Sequence, residues 1–360
     1  DFIKTNNKYV NEFIGTYNKL VDEYFEDLDE SKLIDAAIDG MLSYTGDDYT
    51  IFMDENATDA LNEKLDGTYD GVGISISLND EGYIYIVEVF DNSPASEAGL
   101  LVNDVIKSIN GESIEGKSTQ DASMIIKNSK DNNVNIVVLR NGEELSFDMS
   151  IKTLVVPAIS SSIKEVNGKK IGYIYIGIFA SNSYYQFKDL LDELEKEEID
   201  SLIIDVRGNT GGHLTAVDSI LDIFLTSKQK MYGFDQNGKT TYTYGTGDKK
   251  KNYEIVLLGD ENSASASEVL IAGLKENLGS KFFGKKTFGK GTVQEMVTLS
   301  DKTQYKLTIK KWLTPKGNWI NNTKGIVPDK EIELSEEYYD TLSEEDDTQL
   351  NYAIDYLSNK

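Results

Sequence analysis

The 360-residue sequence predicts a mixed chain, α/β plus α+β: a helical N-terminal region, a small α+β module, and a mainly parallel-sheet α/β core. Three observations predict it. Apolar residues recur at three- to four-residue steps up to about residue 64. The period changes to two from Gly67. Beyond Pro157, near-continuous apolar runs alternate with helical patterns, the texture of strands covered on both faces. These changes divide the chain into residues 1–64, 65–152 and 153–360, the last ending in a helical tail.

In the first region Phe2-Ile3, Phe13-Ile14, Tyr17, Leu20-Val21 and Tyr24-Phe25 lie among Lys, Asn and Glu. Residues 33–42 continue the pattern, with Asp29 or Ser31 as N-cap. The result is an amphipathic arm that packs on its own chain or against a second copy. In the module, residues 71–78 read as a strand, Asn79-Asp80-Glu81-Gly82 as a turn and 83–87 as a second strand. Residues 94–100 form a short helix with Pro in its first turn and a Gly stop. A strand at 104–111, a helix at 121–127 and a hairpin of 135–142 with 145–151 complete it. In the core, 171–176, 201–206 and 253–258 are strands, with helices at 183–196, 214–225 and up to Leu274. Residues 226–252 read as a surface excursion, and Lys249-Lys250-Lys251 within it as a solvated turn.

Composition excludes several chemistries. The 36 basic against 62 acidic side chains leave a net charge of −26, which opposes nucleic acid and anionic lipid alike. With no Cys there is no disulfide framework, thiol nucleophile or thiolate metal site, and His213 is the only His. No metal or cofactor is implied. No run of about 18 apolar residues spans a bilayer. The chain opens at Asp1 without a signal segment and is read as a processed piece whose export signal or anchor has been removed.

Three segments, each after a strand-like run, carry the chemistry. Asp205-Val206-Arg207-Gly208-Asn209-Thr210-Gly211-Gly212-His213 runs through tight Gly turns into a helix, exposing backbone N–H groups suited to an anion or a developing oxyanion. Gly259-Asp260-Glu261-Asn262-Ser263-Ala264-Ser265-Ala266-Ser267-Glu268 sets small residues between a buried strand and a helix, where a nucleophile can sit. Phe288-Gly289-Lys290-Gly291-Thr292-Val293-Gln294 leaves one lysine flanked by permissive backbone. Lysine serves a serine hydroxyl as base once burial lowers its pKa, at a cost of roughly 3–5 kcal/mol for a shift from about 10.4 to 7–8.

The module, with Asp91-Asn92-Ser93-Pro94-Ala95-Ser96-Glu97-Ala98-Gly99-Leu100 and then Asn103-Asp104-Val105-Ile106-Lys107-Ser108-Ile109-Asn110-Gly111, resembles a bacterial PDZ domain. That resemblance implies capture of a chain's C-terminus as an added strand, its carboxylate held by backbone N–H groups of a Gly-rich loop. The matching loop is Tyr69-Asp70-Gly71-Val72-Gly73-Ile74, with Gly71, Val72, Gly73 and Ile74 as tail-binding residues.

Together, Ser-Ala-Ser-Ala-Ser-Glu, Lys-Thr-Phe-Gly-Lys-Gly-Thr-Val-Gln and Asp-Val-Arg-Gly-Asn-Thr-Gly-Gly resemble the C-terminal processing peptidases, or tail-specific proteases. Leu313-Thr314-Pro315-Lys316-Gly317 and residues 324–329 match later segments of that family. The resemblance implies a crotonase/Clp-protease-like core with an inserted PDZ domain. It further implies Ser265 as nucleophile, Lys290 as base and Gln294, one helical turn on, as the residue orienting the lysine. Gly211 and Ala266 match the oxyanion hole. Ser263 and Ser267 are expected to support the turn. Where the family often has Asn-Asn-Pro-Gly-Gly, this chain has Gly208-Asn209-Thr210-Gly211-Gly212, losing the Pro and keeping both glycines. His213 is placed at the rim, Arg207 in a buried structural pair and Arg140 in a surface salt bridge.

The implied function is a serine endopeptidase that captures protein or peptide substrates by their C-terminus, with a tail-binding scaffold whose protease is silenced or autoinhibited as the alternative. A non-peptidase α/β enzyme lacks support, because no basic cluster for an acyl-CoA is present. A homodimer through the N-terminal helical region and an extracytoplasmic location, secreted or membrane-anchored, complete the expectation.

Overall fold

The computed structural model describes residues 7–79, 81–248, 251–299 and 303–360. Among these, the strands form four sheets. The central one runs in the order Ile159–Val166, Lys169–Ile176, Ser201–Asp205, Glu254–Gly259, Lys281–Gly284, Lys330–Glu331. Its first pair is antiparallel, and the following four pairs are parallel. The apolar run in Ser201–Asp205 is explained by two-sided burial. Leu202 and Ile204 join the cluster under helices Ser183–Lys196, Leu214–Phe224 and Ala266–Leu278, while Ile203 faces Leu350, Ala353 and Leu357 of helix Thr348–Ser358.

A second, antiparallel sheet stands beside the first. It runs Ile51–Met53, Gln304–Leu313, Lys230–Gln236, Lys239–Tyr244, with Thr292–Thr298 also paired to Gln304–Leu313. Residues 226–252 are therefore not a surface excursion: they supply a hairpin whose strand Lys230–Gln236 pairs with Gly233↔Leu313 in register. Of the lysine triplet, Lys249 and Lys250 lie outside the described residues, and Lys251 pairs with Glu195 at 2.7 Å rather than standing in solvent.

The N-terminal region is only partly helical. Helices Lys8–Glu23 and Glu30–Ser43 are capped by Asn7 and Asp29, whose side chains accept from Tyr9 N and from Ser31 N and Lys32 N. The strand Ile51–Met53 follows, then helix Glu55–Asp66, capped by Asp54. Phe2-Ile3 lies outside the described residues. No described helix is long and apolar enough to cross a membrane.

The module between these parts packs six strands around Ile86, Ala95, Ile109, Ala122 and Ile136. Its first strand starts at Ile74 rather than Gly71, because Thr68–Gly71 pairs with Lys152–Val155 in a separate two-stranded sheet. Entry and exit of the module are thus clipped together. Strand Ile74–Leu78 pairs only with Ile84–Val89 among the described strands, and helix Thr119–Lys127 packs beside it. This leaves an edge to which a strand can be added. Asn79 Oδ1 closes the turn by accepting from Glu81 N and Tyr83 N; Asp80 lies outside the described residues.

Candidate active site

Strand Glu254–Gly259 ends at a turn tied by Asp260, whose Oδ1 accepts the N–H groups of Gly208, Asn262 and Ser263, each at 3.0 Å. The chain then reaches Ser265 with φ 55° and ψ −112° before helix Ala266–Leu278. That backbone is sparsely populated for a residue with a Cβ and costs about 1–3 kcal/mol. Its neighbours hold it there. Ala264 N and Ser267 Oγ donate to the Asn209 carbonyl at 3.0 and 2.8 Å, and Ser263 Oγ donates to Val206 O at 2.8 Å. Ser263 and Ser267 thus pin the serine segment to the Gly-rich turn. Ser265 stays partly exposed.

The Gly-rich turn approaches closely enough to exclude side chains. A Cβ on Gly212, at φ +139°, would lie 2.2 Å from Phe179 O. One on Gly211 would lie 3.0 Å from Ser265 Cβ and 3.3 Å from Ala266 N. Of the two expected oxyanion donors, Ala266 N–H opens a helix, where the first N–H groups have no intrahelical acceptor. Gly211 N–H departs from expectation: it donates to Asn209 Oδ1 at 2.8 Å. Asn209 is fully buried and its Nδ2 donates to Ile176 O, so the engagement is firm.

Lys290 is braced through its backbone. Trp312 Nε1 donates to Lys290 O at 2.7 Å, Trp319 Nε1 to Gly291 O at 2.8 Å, and Gly291 N to Asn321 Oδ1 at 2.7 Å. The segment is joined to the serine turn by Phe288 N donating to Ser263 O at 3.1 Å. Fully buried Glu268 completes the link, accepting Ser265 N at 2.9 Å, Lys290 N at 2.9 Å, Gly289 N at 2.7 Å and Thr287 Oγ1 at 2.6 Å. Burial pushes the Glu268 carboxyl upward, while these donors pull it back.

The Lys290 side chain enters a cleft of about 590 Å³ that also receives Ser265, Ala266, Gly211, Gln294 and His213. Its Nζ stands 4.6 Å from the centre of the Tyr49 ring. Burial, then the Lys306 charge, lower its pKa below the ordinary lysine range; Asp47 and Glu268 oppose them. The structure corrects the expectation for Gln294, which lies on strand Thr292–Thr298 and not on a helix. Its Nε2 donates to Thr292 Oγ1 and Thr308 Oγ1, both at 3.0 Å.

Tyr49, Asp47, Thr308 and Lys306 were not suggested by the sequence. Asp47 accepts from Thr50 Oγ1 at 2.7 Å and Tyr49 N at 3.3 Å, and, against burial, the Thr308 side chain helps to hold its carboxyl below the ordinary range. No local signal marks the arm residues, which reach the cleft only because Ile51–Met53 pairs with Gln304–Lys306. His213 lines the cleft at the helix start, donating its N–H to Phe179 O. Arg207 forks between Asp205 at 2.6 Å and Asp347 at 2.8 Å, fastening helix Thr348–Ser358 beneath the Gly-rich turn. Arg140 is not in a surface bridge: it clasps Asp104, which is 1% exposed, and donates to Gly99 O.

In the PDZ-like loop, Gly71, Val72 and Gly73 are buried and Ile74 is partly exposed. Val72 O accepts Ala95 N at 2.8 Å, and Gly73 O accepts Phe90 N at 2.9 Å. The Tyr69 ring lies across Gly71, 2.5 Å from where a Cβ would stand. Burial and then Glu88 push the Tyr69 hydroxyl up to about 12.

Residues 170–332 match Peptidase family S41, 71–151 match a PDZ domain, and 3–57 match the activating protease CtpB N-terminal domain. The chain is 41% identical over 315 residues to carboxy-terminal processing protease CtpB of Bacillus subtilis (strain 168), covering 87% of this chain and 65% of that protein. It is 32% identical over 319 residues to CtpA of the same organism, covering 88% and 68%. The chain thus spans about two thirds of the length of the curated relatives it matches. Among solved structures, a putative S41 protease from Bacteroides fragilis NCTC 9343 shares the fold at TM-score 0.59 and 16% identity, covering 94% of this chain and 98% of that one. A photosystem II D1 C-terminal processing protease does so at TM-score 0.51 and 24% identity, covering 89% and 86%. With matching segments in order along the chain, it belongs to the carboxy-terminal processing proteases of peptidase family S41.

Proposed function

We propose that the chain is a serine endopeptidase that cuts protein substrates captured by their C-terminus. The carrying observation is the strained Ser265 elbow opening into the cleft that holds Lys290 with a lowered pKa. Ser265 Oγ attacks the scissile carbonyl as Lys290 Nζ takes its proton. Ala266 N–H and Gly211 N–H, once released from Asn209, hold the oxyanion. Lys290 then protonates the leaving amine, and a water that it deprotonates releases the acyl chain from Ser265. Gln294 orients the lysine by accepting from its ammonium through Oε1.

The tail adds to strand Ile74–Leu78, with its carboxylate toward the loop of Gly71, Val72, Gly73 and Ile74. The parallel pairings of the central sheet support a crotonase/Clp-protease-like core over 153–360, with the PDZ domain over 65–152 and the arm over 1–64. The arm is proposed to contact a second copy, since helix Lys8–Glu23 buries no residue. An extracytoplasmic setting, secreted or anchored, is proposed from the relatives' type.

Test proteins with free or blocked C-terminal tails, incubated with the protein and followed by mass spectrometry, check this reading. Cleavage should need the free tail and vanish in Ser265→Ala and Lys290→Ala; full activity in either variant would sink the assignment. A resting, PDZ-silenced state is the second reading, favoured by the engagement of Gly211 N–H with Asn209. Since Gly71 pairs with Lys152, the module can be replaced by a short linker. Activation on its removal supports silencing, and inactivation supports delivery.

A further inference from the structure

In a chain of net charge −26, the cleft is lined by Lys64, Lys290 and Lys306 and, among the described residues, by no carboxylate. Lys290 is accounted for by the chemistry above, and Lys64, in the last turn of helix Glu55–Asp66, complements the helix dipole. Lys306 has neither explanation, though its charge also lowers the Lys290 pKa. It is the third residue of strand Gln304–Leu313, half-buried, with no carboxylate partner among the described residues. Burial and then the charge of Lys64 disfavour its ammonium. An unpaired, partly desolvated cation facing a second cation costs stability that nothing in the fold offsets. Such a cost persists where an arriving ligand relieves it.

Register places the ligand. Gln294 pairs with Thr308 and Met296 with Lys306, and alternate residues of a strand share a face. Gln294, Met296 and Lys306 all line the cleft. Lys306 therefore stands one pleat, about 7 Å along the strand, from the level of Gln294, and an extended substrate covers that distance in about two residues. The rest of this wall is apolar, with Leu61, Leu65 and Met296.

We propose that Lys306, assisted by Lys64, forms an anion subsite that selects substrates with an acidic side chain about two residues from the scissile bond, among otherwise apolar neighbours. The proposal rests on the peptidase reading and names its substrate class. A carboxylate there meets two cations, while Asp47, the arm acid that acts on Lys290, is already bonded to Thr50 Oγ1 and Tyr49 N, so the field that is repulsive over the whole chain is locally weakened.

The test is digestion of a proteome-derived peptide library by the full chain, with cleavage sites read by mass spectrometry. Asp or Glu should be enriched several-fold at one position two to three residues from the cut. In a peptide pair built on the best-cut sequence, Glu against Gln at that position should differ about tenfold in kcat/KM, the size of one charge-assisted contact. The ratio should fall to about one in Lys306→Met and persist in Lys306→Arg. Taking the ratio within each enzyme cancels the effect of the Lys306 charge on Lys290. Cleavage without acidic enrichment, enrichment unchanged in Lys306→Met, or preference for a free chain terminus over Glu at that spacing overturns the subsite. If the wild-type chain cuts nothing, the peptidase reading itself fails, a result distinct from cutting without acidic preference.

Discussion

Oε2 of Glu268 accepts the backbone N–H of Lys290 at 2.9 Å and, on the same atom, the N–H of Ser265 at 2.9 Å. The proposed nucleophile and base, on different loops, are thereby referred to a single oxygen. The three backbone N–H groups and the Thr287 hydroxyl that bond this carboxylate favour its ionised form, while burial opposes ionisation. Position and charge arrive at the site through one side chain.

Glu268→Gln tests both contributions. Its amide would turn a donor toward donors, costing about 2–4 kcal/mol of stability and lowering kcat/KM about a hundredfold. The loss of charge gives a second signature. Glu268 favours protonated Lys290, so the variant's acid limb should move to lower pH. Urea unfolding and a pH profile of kcat/KM measure the two effects; an unmoved limb would leave Glu268 a purely structural part.

Asp47 acts on Lys290 from the N-terminal arm. As the proposed base, Lys290 works only when neutral, so activity should fall as pH falls through its pKa. Asp47 raises that pKa and Lys306 lowers it. Asp47→Asn should therefore shift the acid limb of the pH profile down, and Lys306→Met should shift it up. Shifts in the same direction would refute the electrostatic assignment.

Ser265→Gly should be inactive and more stable. Glycine adopts φ 55°, ψ −112° without a Cβ penalty, so relief of about 1 kcal/mol is expected. Ser265→Ala, which keeps the Cβ, should show no such gain. Equal chemical-denaturation midpoints for the two variants would remove strain from the account.

What could be read in advance was local. Helix Ser183–Lys196 and the two-sided strand Ser201–Asp205 carry their period within their own residues, and the Ser, Lys and Gly segments are each contiguous. What escaped was non-local. Strand Ile51–Met53 has three residues, too few for a period, and no neighbour in sequence explains it. The hairpin of Lys230–Gln236 and Lys239–Tyr244 is polar on its outer strand and reads as loop. For Gln294 the spacing itself was ambiguous: four residues return to one face in a helix and in a strand alike. The bonds of Gln294 and Gly211 to Thr308 and Asn209 depend on partners chosen by the whole fold.

Thr308 N donates to Thr50 Oγ1 at 3.1 Å across 258 residues of chain. During synthesis at about 5–20 residues per second, the arm waits roughly 13–50 s for that partner to be made. Among the described strands Ile51–Met53 pairs only with Gln304–Leu313, and Tyr49 and Asp47 cannot reach Lys290 until it docks. Assembly of this wall of the cleft is consequently a late folding event. A chain ending before Gln304 would carry both Ser265 and Lys290 and still lack the strand on which Ile51–Met53 docks, and with it this wall of the cleft.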